Sequence, residues 1–243
     1  MAGPKVGDRA KGVSFGELAR PRKLSKAEKL EAERRRAREV LSRLRREYPD
    51  AHCALNHRNA FELLVATILS AQCTDERVNL VTPALFARFP DAQAMAKAGQ
   101  AELEKLVQST GFYKNKAMAI LTTSRLLVER HGGEVPSDIE SLTALRGVGR
   151  KTANVIRGTI FGLPAIVVDT HVGRLTRRLG FTKHQDPVKV EFEMMEIIDE
   201  KDWTLSNHLL IDHGRAVCSA RSPSCGDCVV SELCPKVGVG GRD

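Results

Sequence analysis

The chain has 243 residues, 42% hydrophobic and 28% charged, with a formal net charge of +8. That suits one large or two small globular domains with a real core. No apolar run approaches membrane-spanning length and the first residues lack a signal-peptide h-region, so neither a membrane partner nor secretion is expected, and an intracellular protein is. The charge is uneven: residues 1–47 hold 15 Lys and Arg against 7 Asp and Glu, and the remainder holds 23 of each. A basic arm fits a polyanion partner as a salt-sensitive tether, and it equally fits a solvated helix and tail.

Residues 1–24 mix Gly, Pro and charge without apolar periodicity and read as a disordered basic extension. From Ser25 the pattern turns helical, with Leu30, Val40, Leu41 and Leu44 among Glu and Arg, until Pro49 disfavours the α conformation at Tyr48. Helix follows helix after that. Asn59 caps Phe61 to Ser70, and Asp75 opens the next helix, which Pro83 is expected to break or kink. Asp91 begins a short helix, and Ala101 to Gln108 forms another that ends near Gly111. Lys114 to Arg130 is long and stops at Gly132-Gly133. Ser137-Asp138 starts a short helix ending near Leu145, and residues 150–161 form the next. Asp169-Thr170 opens a helix to Leu179, Asp186-Pro187 opens another, and Thr204 to Val217 is the last. No sustained alternation is present, so the fold class is all-α. Val65 to Ser70 and Ala165 to Val168 are the only runs that also suit short strands.

The segment Leu145-Arg146-Gly147-Val148-Gly149-Arg150-Lys151 carries chemistry. Its two glycines permit a tight turn with outward N–H groups, and the helix behind them points its positive dipole end at the same place. That combination binds phosphate without a side chain and leaves Lys151 spare beside it, as one more charge or as a nucleophile. Asp169, before its helix, reads as an ordinary N-cap unless it has a partner. It lies one helix and one turn after Lys151, so a chain reversal could bring the two together.

Cys218, Cys225, Cys228 and Cys234 have six, two and five residues between them. In a chain of intracellular character this reads as a metal site rather than as disulfides. Zinc favours paired short spacings, whereas a [4Fe–4S] cluster takes four thiolates at asymmetric spacing; both remain open from spacing alone. Cys53 and Cys73 stand apart and read as buried and inert.

Taken together, Leu145 to Asn154, Val168-Asp169-Thr170-His171, the four cysteines and Leu69-Ser70-Ala71-Gln72-Cys73-Thr74-Asp75 resemble, in order, the motifs of the endonuclease III family of DNA glycosylases. The resemblance covers about residues 25 to 236. It implies two helical domains with a DNA-binding cleft between them: a six-helix barrel over 54–164 containing the helix-hairpin-helix, and a cluster domain built from 25–53 and 165–243. It implies excision of oxidised pyrimidines from damaged double-stranded DNA, then nicking as a lyase. It assigns the cysteines to a [4Fe–4S] cluster, the nucleophile to Lys151 and stabilisation of the cationic sugar to Asp169. Burial and Arg150 would help the lysine lose its proton. Gln72 and Phe112 would fill the gap left by the extruded base, and Tyr113, Gly147, Val148, Gly149 and Arg150 would contact DNA. Asp75 and His171 would line the lesion pocket. Two positions depart from the family pattern: Phe112 where an aliphatic residue is common, and Arg146 where proline is usual.

Three alternatives have discriminating features. The related adenine glycosylase lacks the lysine and carries an early acidic catalyst, where this chain has Val65-Ala66-Thr67; it also has a further domain where nine residues follow Cys234 here. A thymine mismatch glycosylase would differ at Tyr113 or Lys151. A non-catalytic DNA-binding module would use the same hairpin without an imine. A monomer is expected, placed in the cytoplasm at the nucleoid in a bacterium, or in the nucleus or mitochondrion in a eukaryote.

Overall fold

A computed structural model describes residues 24–240, together with Gly3. The extension expected over 1–24 thus lies, but for Gly3 and Leu24, outside the described residues. Among them every regular element is helical: α1 (Lys26–Glu47), α2 (Ala60–Leu69), α3 (Asp75–Arg88), α4 (Ala92–Ala96), α5 (Gln100–Val107), α6 (Tyr113–His131), α7 (Ile139–Thr143), α8 (Arg150–Ile160), α9 (Thr170–Arg178), α10 (Pro187–Ile197) and α11 (Trp203–Ala216).

Local chemistry sets most of the starts. Ser25 and Glu28 form a reciprocal capping box on α1. Asn59, Asp91, Asp138, Asp169 and Asp186 each accept a backbone N–H of the helix they open. Gly132, left-handed at φ 63°, ends α6.

Pro83 does not break its helix. Helix α3 runs five residues past it to Arg88. The ring costs about 3 kcal/mol in a helix interior. Val78, Thr82, Leu85 and Phe86 are buried along one face of α3, and a fully buried Leu or Phe contributes roughly 1.5–3 kcal/mol each. Tertiary burial therefore outweighs the local penalty.

The apolar residues fall into three clusters. The largest draws on residues 55–156, with α2 at its centre, where every residue after Ala60 is buried. A second joins Val40 and Leu44 of α1 to Val172, Leu175 and Leu179, to Leu209 and Leu210 of α11, and to Val230. A third sets Ala37 of α1 against Ile166 and the α10 residues Val190, Met194 and Ile197.

The two runs that suited strands are settled differently. Val65 to Leu69 is helix, its continuous apolar character reflecting burial on all sides. Residues 165–168 belong to no helix or strand. Instead the Asn154 and Asn207 side chains donate to the Ile166 and Ala165 carbonyls (both 2.9 Å), and Asn207 Oδ1 accepts the Val167 N–H (3.0 Å). Two asparagines thus replace a sheet ladder and fix the segment leading into Asp169.

Glu191 of α10, 6% exposed, ties α8 to α10. It accepts Arg150 Nε and Nη2 (2.7 Å each) and Asn154 Nδ2 (3.0 Å). The pair holds the Arg150 guanidinium charged. Arg150→Ala would leave a buried carboxylate with only Asn154. At about 3 kcal/mol, Tm should fall by roughly 6–12 °C in a thermal melt without DNA; an unchanged Tm would show that the pair is idle.

Candidate active site

Helices α7 and α8 flank the hairpin turn. Gly147 has φ +79°, and a Cβ there would stand 3.1 Å from Ala119 Cβ, so both conformation and contact demand glycine. Gly149 is different from expectation: its φ is −89°, open to any residue. What its bare Cα provides is space, since a Cβ would meet nothing within 4 Å. Gly149 is also the N-cap of α8 without any side-chain cap, so the N–H groups of the first turn are left for a ligand. Val148 contributes no surface. It is 4% exposed, in the large core, and its N–H donates inward to the Leu145 carbonyl (3.2 Å). The Arg146 carbonyl, where proline was expected, accepts the Thr123 hydroxyl (2.7 Å), which ties the turn to α6.

A cleft of about 770 Å³ opens beside this turn. Lys151 from α8 and Asp169 from the start of α9 both line it, so the reversal after α8 brings the chain back to its own beginning. The Asp169 cap uses Oδ1 alone, accepting the Val172 N–H at 2.7 Å, so capping and a role in the cleft are compatible. Lys151 is exposed, and the Arg150 guanidinium beside it in sequence is turned to Glu191. Arg150 therefore braces the hairpin instead of presenting a free charge to DNA.

Asp75 also lines the cleft and pairs with Arg215 of α11 at 2.6 Å. His171 does not. It packs on α11, where a Cβ on Gly214 would stand 2.8 Å from its Nδ1, and that nitrogen lies 3.1 Å from Arg174 Nη2. A lesion-pocket role for His171 thus conflicts with its placement in the free chain, because close helix packing takes the ring. One wall was not foreseen: Thr204, Asn207, His208, Ile211, Asp212 and Arg215 of α11. The signal was present as a stripe at helical spacing opposite Leu209 and Leu210. Burial pushes His208 below its usual range and the Cys53 thiol above its own, which leaves Cys53 unreactive.

Two loop tips are exposed and strained. Gln72 (φ 53°) and Phe112 (φ 47°) are left-handed without being glycine, and Phe112 is 65% exposed. A bulky residue in that region costs about 1–3 kcal/mol and marks functional sites. Tyr113 is half-buried against the large core.

The four cysteines Cys218, Cys225, Cys228 and Cys234 line one cavity of about 470 Å³ walled by Leu44, Leu175, Leu179 and Val230. Arg178 Nη1 donates to Cys218 Sγ (3.2 Å), and Lys236 N–H donates to Cys234 Sγ (3.3 Å). His213 Nε2 lies 3.3 Å from Cys228 Sγ. Burial pushes the Cys228 and Cys234 thiols up, so thiolates here need cationic compensation. Four thiol side chains lining one largely apolar cavity are a donor set that suits an iron–sulfur cluster.

Comparison with known proteins covers both regions. Residues 65–200 match the model of the HhH-GPD superfamily of base excision DNA repair proteins, and residues 218–234 match the iron-sulfur binding domain of endonuclease III. Endonuclease III of Synechocystis is 51% identical over 208 residues, covering 85% of this chain and 95% of that protein. The Escherichia coli protein is 42% identical over 196 residues, covering 81% and 93%. A non-covalent endonuclease III–DNA complex superposes with a TM-score of 0.80 at 45% identity, covering 84% of this chain and 95% of that one. A trapped endonuclease III–DNA covalent intermediate superposes with the same TM-score at 44% identity, covering 84% and 96%.

Proposed function

The chain belongs to the endonuclease III family of base excision DNA repair proteins, and from that membership we propose a division of labour among its own residues. It is a DNA glycosylase with AP lyase activity. The observation that supports the residue roles is the shared cleft: Lys151 on the first turn of α8 and Asp169 at the cap of α9 line one space beside an uncapped helix N-terminus.

A backbone phosphate docks on the free N–H groups of α8, with the helix dipole behind them. The target nucleotide leaves the stack, which costs a few kcal/mol, and Gln72 and Phe112 fill the gap. Docked DNA excludes water from the cleft, and desolvation then favours the neutral Lys151 amine. Its lone pair attacks C1′ as the base departs, while Asp169 stabilises the positive charge that develops on the sugar. Loss of the amine proton and opening of the C1′–O4′ bond, with O4′ taking up a proton, give a cationic lysine–sugar imine; this acidifies the C2′ proton, whose loss expels the 3′ phosphate by β-elimination. Water then releases the lysine.

Cys218, Cys225, Cys228 and Cys234 are proposed to hold a [4Fe–4S] cluster, which would supply iron–thiolate bonds that fold the last loop. The helical division suggested for the sequence, a barrel over 54–164 against 25–53 and 165–243, is likewise our reading. So are the monomeric state and a site of action at DNA in the cytoplasm or an organelle.

The substrate class we propose is oxidised pyrimidine in duplex DNA. A panel of defined lesions, assayed for excision and strand cleavage, tests it; excision of adenine from a mismatch, with oxidised pyrimidines untouched, would overturn it. The adenine reading is disfavoured by α2. There Thr67 lines the cleft with its hydroxyl donating to the Leu63 carbonyl (2.7 Å), and Val65 and Ala66 are buried.

The basic arm is proposed as a tether. Residues 1–24 hold six Lys and Arg against two Asp and Glu. Deleting them should weaken duplex binding and flatten the slope of log affinity against log salt by up to about 3, with single-turnover chemistry little changed. An unchanged slope would remove the tether.

A further inference from the structure

Lys116 of α6 is 5% exposed and has no place in the chemistry above. Its Nζ donates to the Thr110 carbonyl at 2.7 Å, and its own backbone N–H donates to the Phe112 carbonyl at 3.1 Å. One residue therefore holds both ends of the dipeptide Gly111-Phe112, the segment in which φ runs from 71° to 47°. Thr110 is anchored from below as well, its hydroxyl donating to the Val107 carbonyl at 2.8 Å.

A buried ammonium with a single carbonyl acceptor is a poor source of stability, because its desolvation is scarcely repaid. Burial indeed pushes Lys116 below its usual range. The contact is better explained by what it fixes. A bulky side chain at φ 47° relaxes to the extended or right-handed region unless its surroundings over-determine it. Pinning the carbonyls of Thr110 and Phe112 to one side chain and its backbone removes that freedom.

We propose that Lys116 is a positioning residue for base extrusion: it clamps Gly111-Phe112 so that the Phe112 ring is held outward before DNA arrives. The proposal rests on the reading of Phe112 as the filler of the vacated space. A preset wedge lowers the cost of opening a duplex, and it is irrelevant to a sugar that is already unstacked. The expected signature is therefore a loss confined to duplex substrates.

The experiment compares single-turnover rates on two substrates, an oxidised pyrimidine in duplex DNA and an abasic site in a single strand. Lys116→Met should slow the duplex reaction about tenfold, the worth of one lost hydrogen bond, and leave the single-strand lyase within about twofold. Phe112→Ala should show the same duplex-specific loss, and the double variant should be no slower than Phe112→Ala alone. Equal losses on both substrates, additive losses in the double variant, or no loss with Lys116→Met would overturn the clamp. If Phe112→Ala is slow on duplex and Lys116→Met is not, the clamp alone fails. If Phe112→Ala itself shows no duplex-specific loss, the filler reading fails and takes the clamp with it. Should Lys116→Met not fold, Lys116→Leu, which also lacks a donor, is read in the same way.

Discussion

Lys151→Ala should lower single-turnover strand cleavage at an oxidised pyrimidine by roughly 10⁴-fold or more, because no other group in the cleft supplies an amine nucleophile. The Lys151 side chain is exposed, so the folded protein should be untouched, with stability within about 0.5 kcal/mol. Duplex binding at low salt should fall only slightly, since the phosphate site is made of the backbone N–H groups of α8. Asp169→Asn separates cap from charge: asparagine caps α9 as well as aspartate does, so Tm holds while excision falls by about 10²–10³-fold. Asp169→Ala would add a cap loss of about 1 kcal/mol to the same defect. A Lys151→Ala protein that cleaves at more than a hundredth of the wild-type rate would remove the lysine from the reaction.

Loss of the cluster should be the largest change in stability. Residues 217–237 contain a single three-residue turn of helix, Ser231–Leu233. Their hold on α1, α9 and α11 runs through a core in which Cys218, Cys228 and Cys234 are packed beside Leu44, Leu175 and Leu210. Metal–thiolate bonds are folding free energy in such a segment, about 10–16 kcal/mol for structural zinc sites. Cys228→Ala should therefore give colourless protein with Tm lowered by at least about 10 °C. The wild type should be yellow-brown with about four irons per chain. The large core over residues 55–156 draws nothing from this region, so far-UV helicity from α2 to α8 should survive the loss. Wild-type protein that is colourless and holds one zinc would overturn the iron–sulfur assignment and leave the glycosylase standing.

What could be read from the chain divides along a physical line. Helix starts are local events, and the residues that make them were visible: Asn59, Asp91, Asp138, Asp169 and Asp186 do as caps what their side chains allow. Pro83 misleads because the penalty is local and the compensation, burial of the flanking Val78 and Phe86, is not. Helix α2 is ambiguous on paper because a helix buried on every side has no periodic face. The same distinction runs through the site. Lys151 and Asp169 were legible as motif residues. The directions of their neighbours were not, because Glu191 claims Arg150 and Gly214 receives His171, forty or more residues away in each case. The α11 wall was written as a polar stripe, but nothing in the sequence says that this stripe faces Lys151. Val148 is buried: a hairpin motif names positions, and packing decides which of their side chains face solvent.

The central claim, that Lys151 forms the imine, is tested most directly by borohydride trapping with peptide mapping. Wild-type protein is incubated with duplex DNA carrying an oxidised pyrimidine, reduced, digested and sequenced by mass spectrometry. The expected result is one covalent adduct, with the deoxyribose remnant on Lys151. An adduct on another lysine or on the N-terminal amine, or no adduct from enzyme that is excising the base, would contradict it.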